Sequence, residues 1–119
     1  MIQIFGTLKN FDVKTAQRWF SERRVQVQFV DLKEKEMSRG EFDNVLDLLA
    51  KEYGSRNAAI DALIDKKSKD YAAIAYLDDG EKAGKLFENQ LKLMKQPVCR
   101  NGKNAATVGL AQKIWEGWK

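Results

Sequence analysis

Two short runs of alternating side chains, with a helical pattern between them, fill the first thirty residues and narrow the folds open to this chain. Ile2 and Ile4 stand against Gln3, and the run closes with Phe5 and Gly6, which predicts a half-buried strand ended by a glycine turn. Asp12 stands where a helix N-cap belongs. Val13, Ala16, Trp19 and Phe20 follow at helical spacing, with Lys14, Arg18 and Arg23 toward solvent. Val25, Val27 and Phe29, with Gln26 and Gln28 between them, predict a second strand. A strand, a helix and a strand in so short a stretch make a βαβ unit, which calls for parallel strands and a right-handed crossover.

Beyond a charged loop from Asp31 to Met37, Ser38 and Glu41 have the spacing of a capping box. It opens a helix that buries Phe42, Val45, Leu46 and Leu49 and stops at Gly54. Residues 57–64 give a shorter helix on Ile60, Leu63 and Ile64, followed by the joint Asp65-Lys66-Lys67-Ser68-Lys69. Residues 70–77 and 81–94 read as helical, separated by Asp78-Asp79-Gly80. The only proline, Pro97, opens a strand through Val98 and Cys99. Asn101-Gly102 is the strongest hairpin signal, and Ala105 to Val108 returns antiparallel. Leu110, Ile114 and Trp118, with Ala111 and Trp115 alongside, give a terminal helix. The expectation is one α/β domain over residues 1–119, with a four-stranded mixed sheet. A helical insertion at about 38–94 separates its β-α-β and β-β-α halves.

Composition excludes more than it suggests. At 119 residues the chain is long enough to bury roughly two-thirds of its unfolded surface in one core. It has no histidine, which removes the commonest metal ligand and general base and with them the Ser-His-Asp and Cys-His hydrolases. One cysteine, Cys99, rules out an internal disulfide and a multi-thiolate zinc site. The N-terminal MIQIFG lacks the features of a signal peptide, and no stretch approaches the ~20 apolar residues of a membrane span. A cytoplasmic protein with a reduced thiol is expected. Residues 1–83 carry 14 basic and 15 acidic groups, residues 84–119 carry 7 and 2. The basic C-terminal third reads first as a solvated face, with an anionic partner as the alternative.

The segments IFGTLKNFDVKTAQRWF, FVDLKEKEMS, IDKKSKDY and LMKQPVCRNGKNAATVG, in this order and spacing, resemble the arsenate reductase (ArsC)/Spx family over nearly the whole chain. That resemblance implies a thioredoxin-like fold. In the family a glycine and three residues precede a reactive cysteine at a helix N-terminus, where unpaired N–H groups and the helix dipole lower a thiol's pKa and cradle an oxyanion. Counting from Gly6 over Thr7, Leu8 and Lys9 lands on Asn10, whose amide cannot form a thiolate. The residue before the proline, an arginine in the family, is Gln96, without charge. Lys66 and Lys67 fall where the family carries a third basic residue. The resemblance also implies a cis Gln96–Pro97 bond.

The resulting candidate anion- or ligand-binding set is Lys9, Asn10, Phe11, Asp12, Val13, Lys66, Lys67, Gln96 and Pro97. Asn10 reads first as a plain helix cap and second as a ligand-binding amide. Cys99 reads first as an inert core thiol and second as a substitute nucleophile near the site. No second cysteine resolves an oxidised form, so the latter role requires an external thiol such as glutathione. Asp78, Asp79 and Glu81 read as turn residues rather than a hard-metal site. Trp19, Trp115 and Trp118 read as core rather than a base-stacking platform, so direct nucleic-acid binding is not expected. No metal and no cofactor is expected, glutathione excepted. The leading expectation is a family member without cysteine-based reductase activity that binds a small anion, a thiol or a protein. The alternatives are an Spx-like regulator that binds RNA polymerase, without the CxxC switch because Asn10 and Val13 hold those positions, and a glutathione/glutaredoxin-coupled reductase built on Cys99. Oligomeric state stays open.

Overall fold

The computed structural model describes residues 1–119. The chain divides into two compact units, one formed by Met1–Lys35 with Gln96–Lys119 and the other by Glu36–Lys95. No helix is long and apolar enough to cross a membrane.

In the first unit, strand β1 (Ile2–Gly6) leads into helix α1 (Phe11–Glu22) and strand β2 (Val27–Asp31). After the second unit come β3 (Val98–Asn101), β4 (Ala105–Val108) and a short α6 (Gln112–Glu116). The sheet order is β2-β1-β3-β4. β1 and β2 are parallel with Ile4 opposite Phe29, as the βαβ pattern requires, while β3 runs antiparallel to both β1 and β4. The sheet is therefore mixed, with helices inserted between its β-α-β and β-β-α halves. One of its faces packs Ile2, Ile4 and Cys99 against Val13, Ala16, Trp19 and Phe20 of α1 and Trp115 of α6. The Trp115 indole N–H donates to the Thr107 hydroxyl at 2.8 Å, so the largest buried ring keeps its polar atom satisfied.

Local chemistry explains most boundaries and corrects some expectations. The N-cap of α1 is Asn10, not Asp12. The Asn10 Oδ1 accepts from the Val13 N–H at 3.0 Å, and Asp12 falls in the first turn, where its charge suits the helix dipole. At the other end Arg24 takes φ 58°, and the Arg24 and Val25 N–H groups return to Ser21 and Phe20 carbonyls. This is a Schellman stop on a residue that is normally glycine. It delays β2 to Val27, so Val25 packs beside the core rather than in the strand. Leu110 and Ile114 do not face the core. Only five residues of α6 are helical, and Trp115 takes the buried side with Ala111 and Trp118 partly packed beside it.

The second unit comprises α2 (Arg39–Tyr53), α3 (Arg56–Leu63), a 3-10 turn at Tyr71–Ala73, α4 (Asp79–Glu88) and α5 (Gln90–Leu93). Ser38 and Glu41 form the expected capping box, and Gly54 ends α2 at φ 94°, a conformation that costs other residues more. Residues 70–77 make only the 3-10 turn. Asp78 caps α4 through the Glu81 N–H at 2.8 Å, so Gly80 lies inside the helix rather than before it. The continuous helix expected over 81–94 breaks at Asn89. There Gln90 turns fully inward: its Oε1 accepts from the Met37 N–H at 2.7 Å and its Nε2 donates to the Met37 and Phe87 carbonyls at 3.1 and 3.3 Å. A backbone antiparallel bridge between Ile64 and Met94 ties the ends of α3 and α5.

Candidate functional site

The loop from Thr7 to Asn10 joins the end of β1 to the start of α1, and the segment Gln96–Pro97 enters β3, the strand beside β1. Sheet register therefore brings residues 7–13 and 96–97 to the same end of the same sheet, with Phe5 opposite Val98. The Gln96–Pro97 peptide bond is cis. Contact between the two segments is direct. The Thr7 N–H donates to Gln96 Oε1 at 2.7 Å, and the Thr7 hydroxyl reaches the same oxygen at 3.3 Å. On the far side, the Gly109 N–H donates to the Pro97 carbonyl at 2.8 Å, so the loop after β4 joins the group.

Gly6 makes this closeness geometrically feasible. A Cβ there would lie 2.5 Å from Val13 Cγ2 and 3.1 Å from Gln96 Oε1. The first separation is closer than van der Waals contact allows, and Val13 is fully buried. The glycine thus lets strand, helix start and Gln96 share one corner.

Asn10 sits at the turn itself. Its N–H donates to the Thr7 carbonyl at 3.1 Å, its side-chain oxygen caps α1, and its own carbonyl accepts from the Lys14 N–H at 3.3 Å. The side chains of Asn10 and Gln96 thus act alike. Each is a carboxamide whose oxygen satisfies one backbone N–H, that of Val13 or that of Thr7. Lys9 and Phe11 point to solvent, Phe11 with 78% of its surface exposed. Asp12 is half-buried. Thr7 was absent from the sequence-derived set. It is buried, and its partner lies 89 residues away, so no local pattern marks it.

Cys99 is completely buried in the core cluster, and burial pushes its thiol from the ordinary 9.0 up to about 12, opposed only by a hydrogen bond with Thr107. Lys66 and Lys67 belong to the helical unit. There the Lys66 ammonium pairs with the Asp61 carboxylate at 2.7 Å, a hydrogen bond that raises the Lys66 pKa, while the Lys67 N–H caps an Asp65 turn at 3.0 Å. The Asp78 carboxyl is lowered by the Glu81 N–H it accepts from, and Glu81 is raised by the Asp78 carboxyl beside it. Trp19 and Trp115 are buried in the core with their rings in edge contact at 5.6 Å, and the Arg23 guanidinium covers Trp19 at 3.9 Å, leaving no open stacking face.

No protein-family model matches the chain, and no curated protein does. Solved structures do match. An ArsC family related protein from Bacteroides fragilis superposes with a TM-score of 0.80 at 14% identity, over 99% of this chain and 98% of that one. An arsenate reductase from Vibrio cholerae gives 0.73 at 15% identity, over 90% and 87%. An arsenate reductase (ArsC) related protein from Brucella melitensis gives 0.66 at 15% identity, over 98% and 92%. Likeness at this identity speaks for backbone architecture alone. In architecture, then, the chain has the ArsC-like thioredoxin fold of these structures.

Proposed function

We propose that this protein has no cysteine-based reductase activity and acts by binding a protein partner at the sheet end built from residues 7–13 and 96–97. The observation that carries this reading is the bond from the Val13 N–H to Asn10 Oδ1. At the turn where the resemblance places a nucleophilic sulfur, a neutral amide oxygen closes the helix end, and no proton loss turns an amide into a nucleophile. Cys99 does not replace it, because a thiol that is fully buried and ionises near 12 is neither a thiolate at neutral pH nor open to substrate.

Of the three ligand classes, a protein partner fits best. Two backbone donors that an oxyanion would use, those of Thr7 and Val13, are already satisfied from within by Gln96 and Asn10. Exposed Phe11 offers apolar surface instead. On this reading the protein works in the cytoplasm and needs no cofactor.

The test is arsenate-dependent NADPH consumption in the presence of glutathione, glutaredoxin and glutathione reductase. Wild type and Cys99→Ser should both run at the rate of the mixture without them. Arsenate-dependent turnover by wild type that Cys99→Ser abolishes would overturn the reading. Asn10→Cys is the complementary variant. At the start of α1 its thiol should ionise below the usual ~8.5 and react with iodoacetamide at pH 7 faster than free cysteine does. An unreactive thiol would show that this turn no longer activates sulfur whatever residue it carries.

A further inference from the structure

Five large apolar side chains of the sheet unit are strongly exposed: Met1, Leu8, Phe11, Leu110 and Ile114. Three of them gather at the sheet end just described. Leu8 follows Thr7, which is bonded to Gln96, and Leu110 follows Gly109, which is bonded to Pro97. Leu8 and Leu110, 54% and 40% exposed, therefore flank the Gln96–Pro97 segment, and Phe11 extends the Leu8 side. β1 and β4 are separated by β3 alone, so the strand ends that lead to Leu8 and Leu110 stand about 10 Å apart, two inter-strand spacings.

The centre of this strip is polar in one sense only. Gln96 engages its oxygen on Thr7, which leaves its NH₂ group, a pure donor, beside Pro97. The surrounding charge has a sign as well. Lys9 and Lys14 at the start of α1, Lys33 and Lys35 after β2, and Lys113 in the first turn of α6 are exposed at this end. Within the sheet unit the carboxylates of these segments are Asp12, Asp31 and Glu34, so five lysines stand against three carboxylates. The Arg23–Glu116 and Lys119–Glu116 pairs lie instead by the far end of α1.

From this we propose that the sheet end docks an acidic peptide segment of a protein partner, with apolar side chains two or three positions apart and a carboxylate between them. The apolar residues cover Leu8 with Phe11 and Leu110, the carboxylate meets the Gln96 NH₂, and the lysines favour flanking acidic residues. A spacing of about 10 Å corresponds to three residues of extended or polyproline-II chain. A nucleic acid fits less well, because two of the three anchors are aliphatic and give bases no ring to stack on. The inference rests on the binding role proposed above but fails separately from it, since the reductase assay does not depend on any peptide.

Selection from a random twelve-residue peptide display library on the full-length chain, with Phe11→Ser/Lys9→Glu as counter-target, tests it. The expected result is enrichment of acidic sequences with paired apolar residues. By fluorescence anisotropy the selected peptide should bind about tenfold more weakly to Phe11→Ser and to Lys9→Glu, and more weakly again as salt is raised. Basic or charge-neutral consensus sequences, no enrichment, or affinity unchanged in both variants would overturn the proposal. So would displacement of the peptide by a single-stranded oligonucleotide at lower concentration than by unlabelled peptide. Concentration-dependent dimerisation in sedimentation that Phe11→Ser abolishes would assign the surface to a second copy of the chain and overturn it equally.

Discussion

Two glutamines each brace a piece of backbone in this molecule, and they do so on opposite terms. Gln90, in the helical unit, is fully buried and uses both ends of its amide, the oxygen on the Met37 N–H and the NH₂ on the Met37 and Phe87 carbonyls. Gln96, in the sheet unit, is half-buried and uses only its oxygen, on Thr7. A buried amide has no water to fall back on, so every polar atom must find a protein partner and the group becomes a fixed clasp. A half-buried one can leave an end unfilled at little cost, and that end stays available to a ligand. The same contrast separates Cys99, sealed in the core, from Asn10 at the open turn.

The largest effect at neutral pH should come from the clasp. Gln90→Leu keeps the volume roughly constant but strands the Met37 N–H and removes a partner from two carbonyls. The expected loss is about 3 kcal/mol in urea unfolding. A loss below about 1 kcal/mol would mean that water reaches these groups and that the two glutamines do not differ in kind.

Next comes the buried thiol. With its folded pKa raised from 9.0 to about 12, Cys99 contributes stability that is complete below pH 9 and drains away as pH rises toward 12, because only the unfolded chain sheds the proton in that window. The wild type should lose up to about 1.4 kcal/mol per pH unit there beyond the loss shown by Cys99→Ala. Parallel pH profiles for the two proteins would place the thiol in contact with solvent, on the open side of the contrast.

A smaller effect is expected at the turn. Asn10→Ala removes the α1 cap and should cost about 1 kcal/mol, while Asn10→Asp, which caps equally well and suits the helix dipole, should stay within about 0.5 kcal/mol of wild type. If Asn10→Asp destabilises as much as the alanine, the Asn10 NH₂ group is doing something that the cap does not explain.

What could be read in the sequence divides along the same line as the stabilising interactions. Features written in a few adjacent residues came through: the Ser38/Glu41 capping box, the Gly54 stop, the Asn101-Gly102 hairpin with Gly102 at φ 57°, and the parallel strands around α1. Features decided over long separations, or between near-equal local signals, did not. Asp12 and Asn10 are both good caps two residues apart, and the choice was made by the turn that Asn10 closes on Thr7. The helix break at Asn89 follows from Gln90 reaching Met37, 53 residues away. Leu110 and Ile114 lost the core to Trp115 because five residues are too few to define a helical face by periodicity. At the candidate site, the helix start near residue 10 is legible locally, but Thr7 as the acceptor's partner and Leu8 as a flank are not, since both depend on which strand lies next to β1.

The smallest effect is the one that bears most on the proposed binding role. Gln96→Ala removes the only side-chain partner of the Thr7 N–H, yet the change also opens a path for water to that group, so the expected cost is about 0.5 kcal/mol, well under that of Gln90→Leu. Global unfolding would scarcely register it. Hydrogen exchange at the Thr7 amide should, because that proton loses its protection while amides of the sheet interior keep theirs. Gln96→Glu sharpens the measurement: a carboxylate oxygen can accept from Thr7 as the amide oxygen does, so protection should return, while the donor NH₂ is replaced by an acceptor. A protein that recovers Thr7 protection in Gln96→Glu but loses the acidic peptide would separate the two ends of this one side chain, one holding the loop and the other meeting the partner.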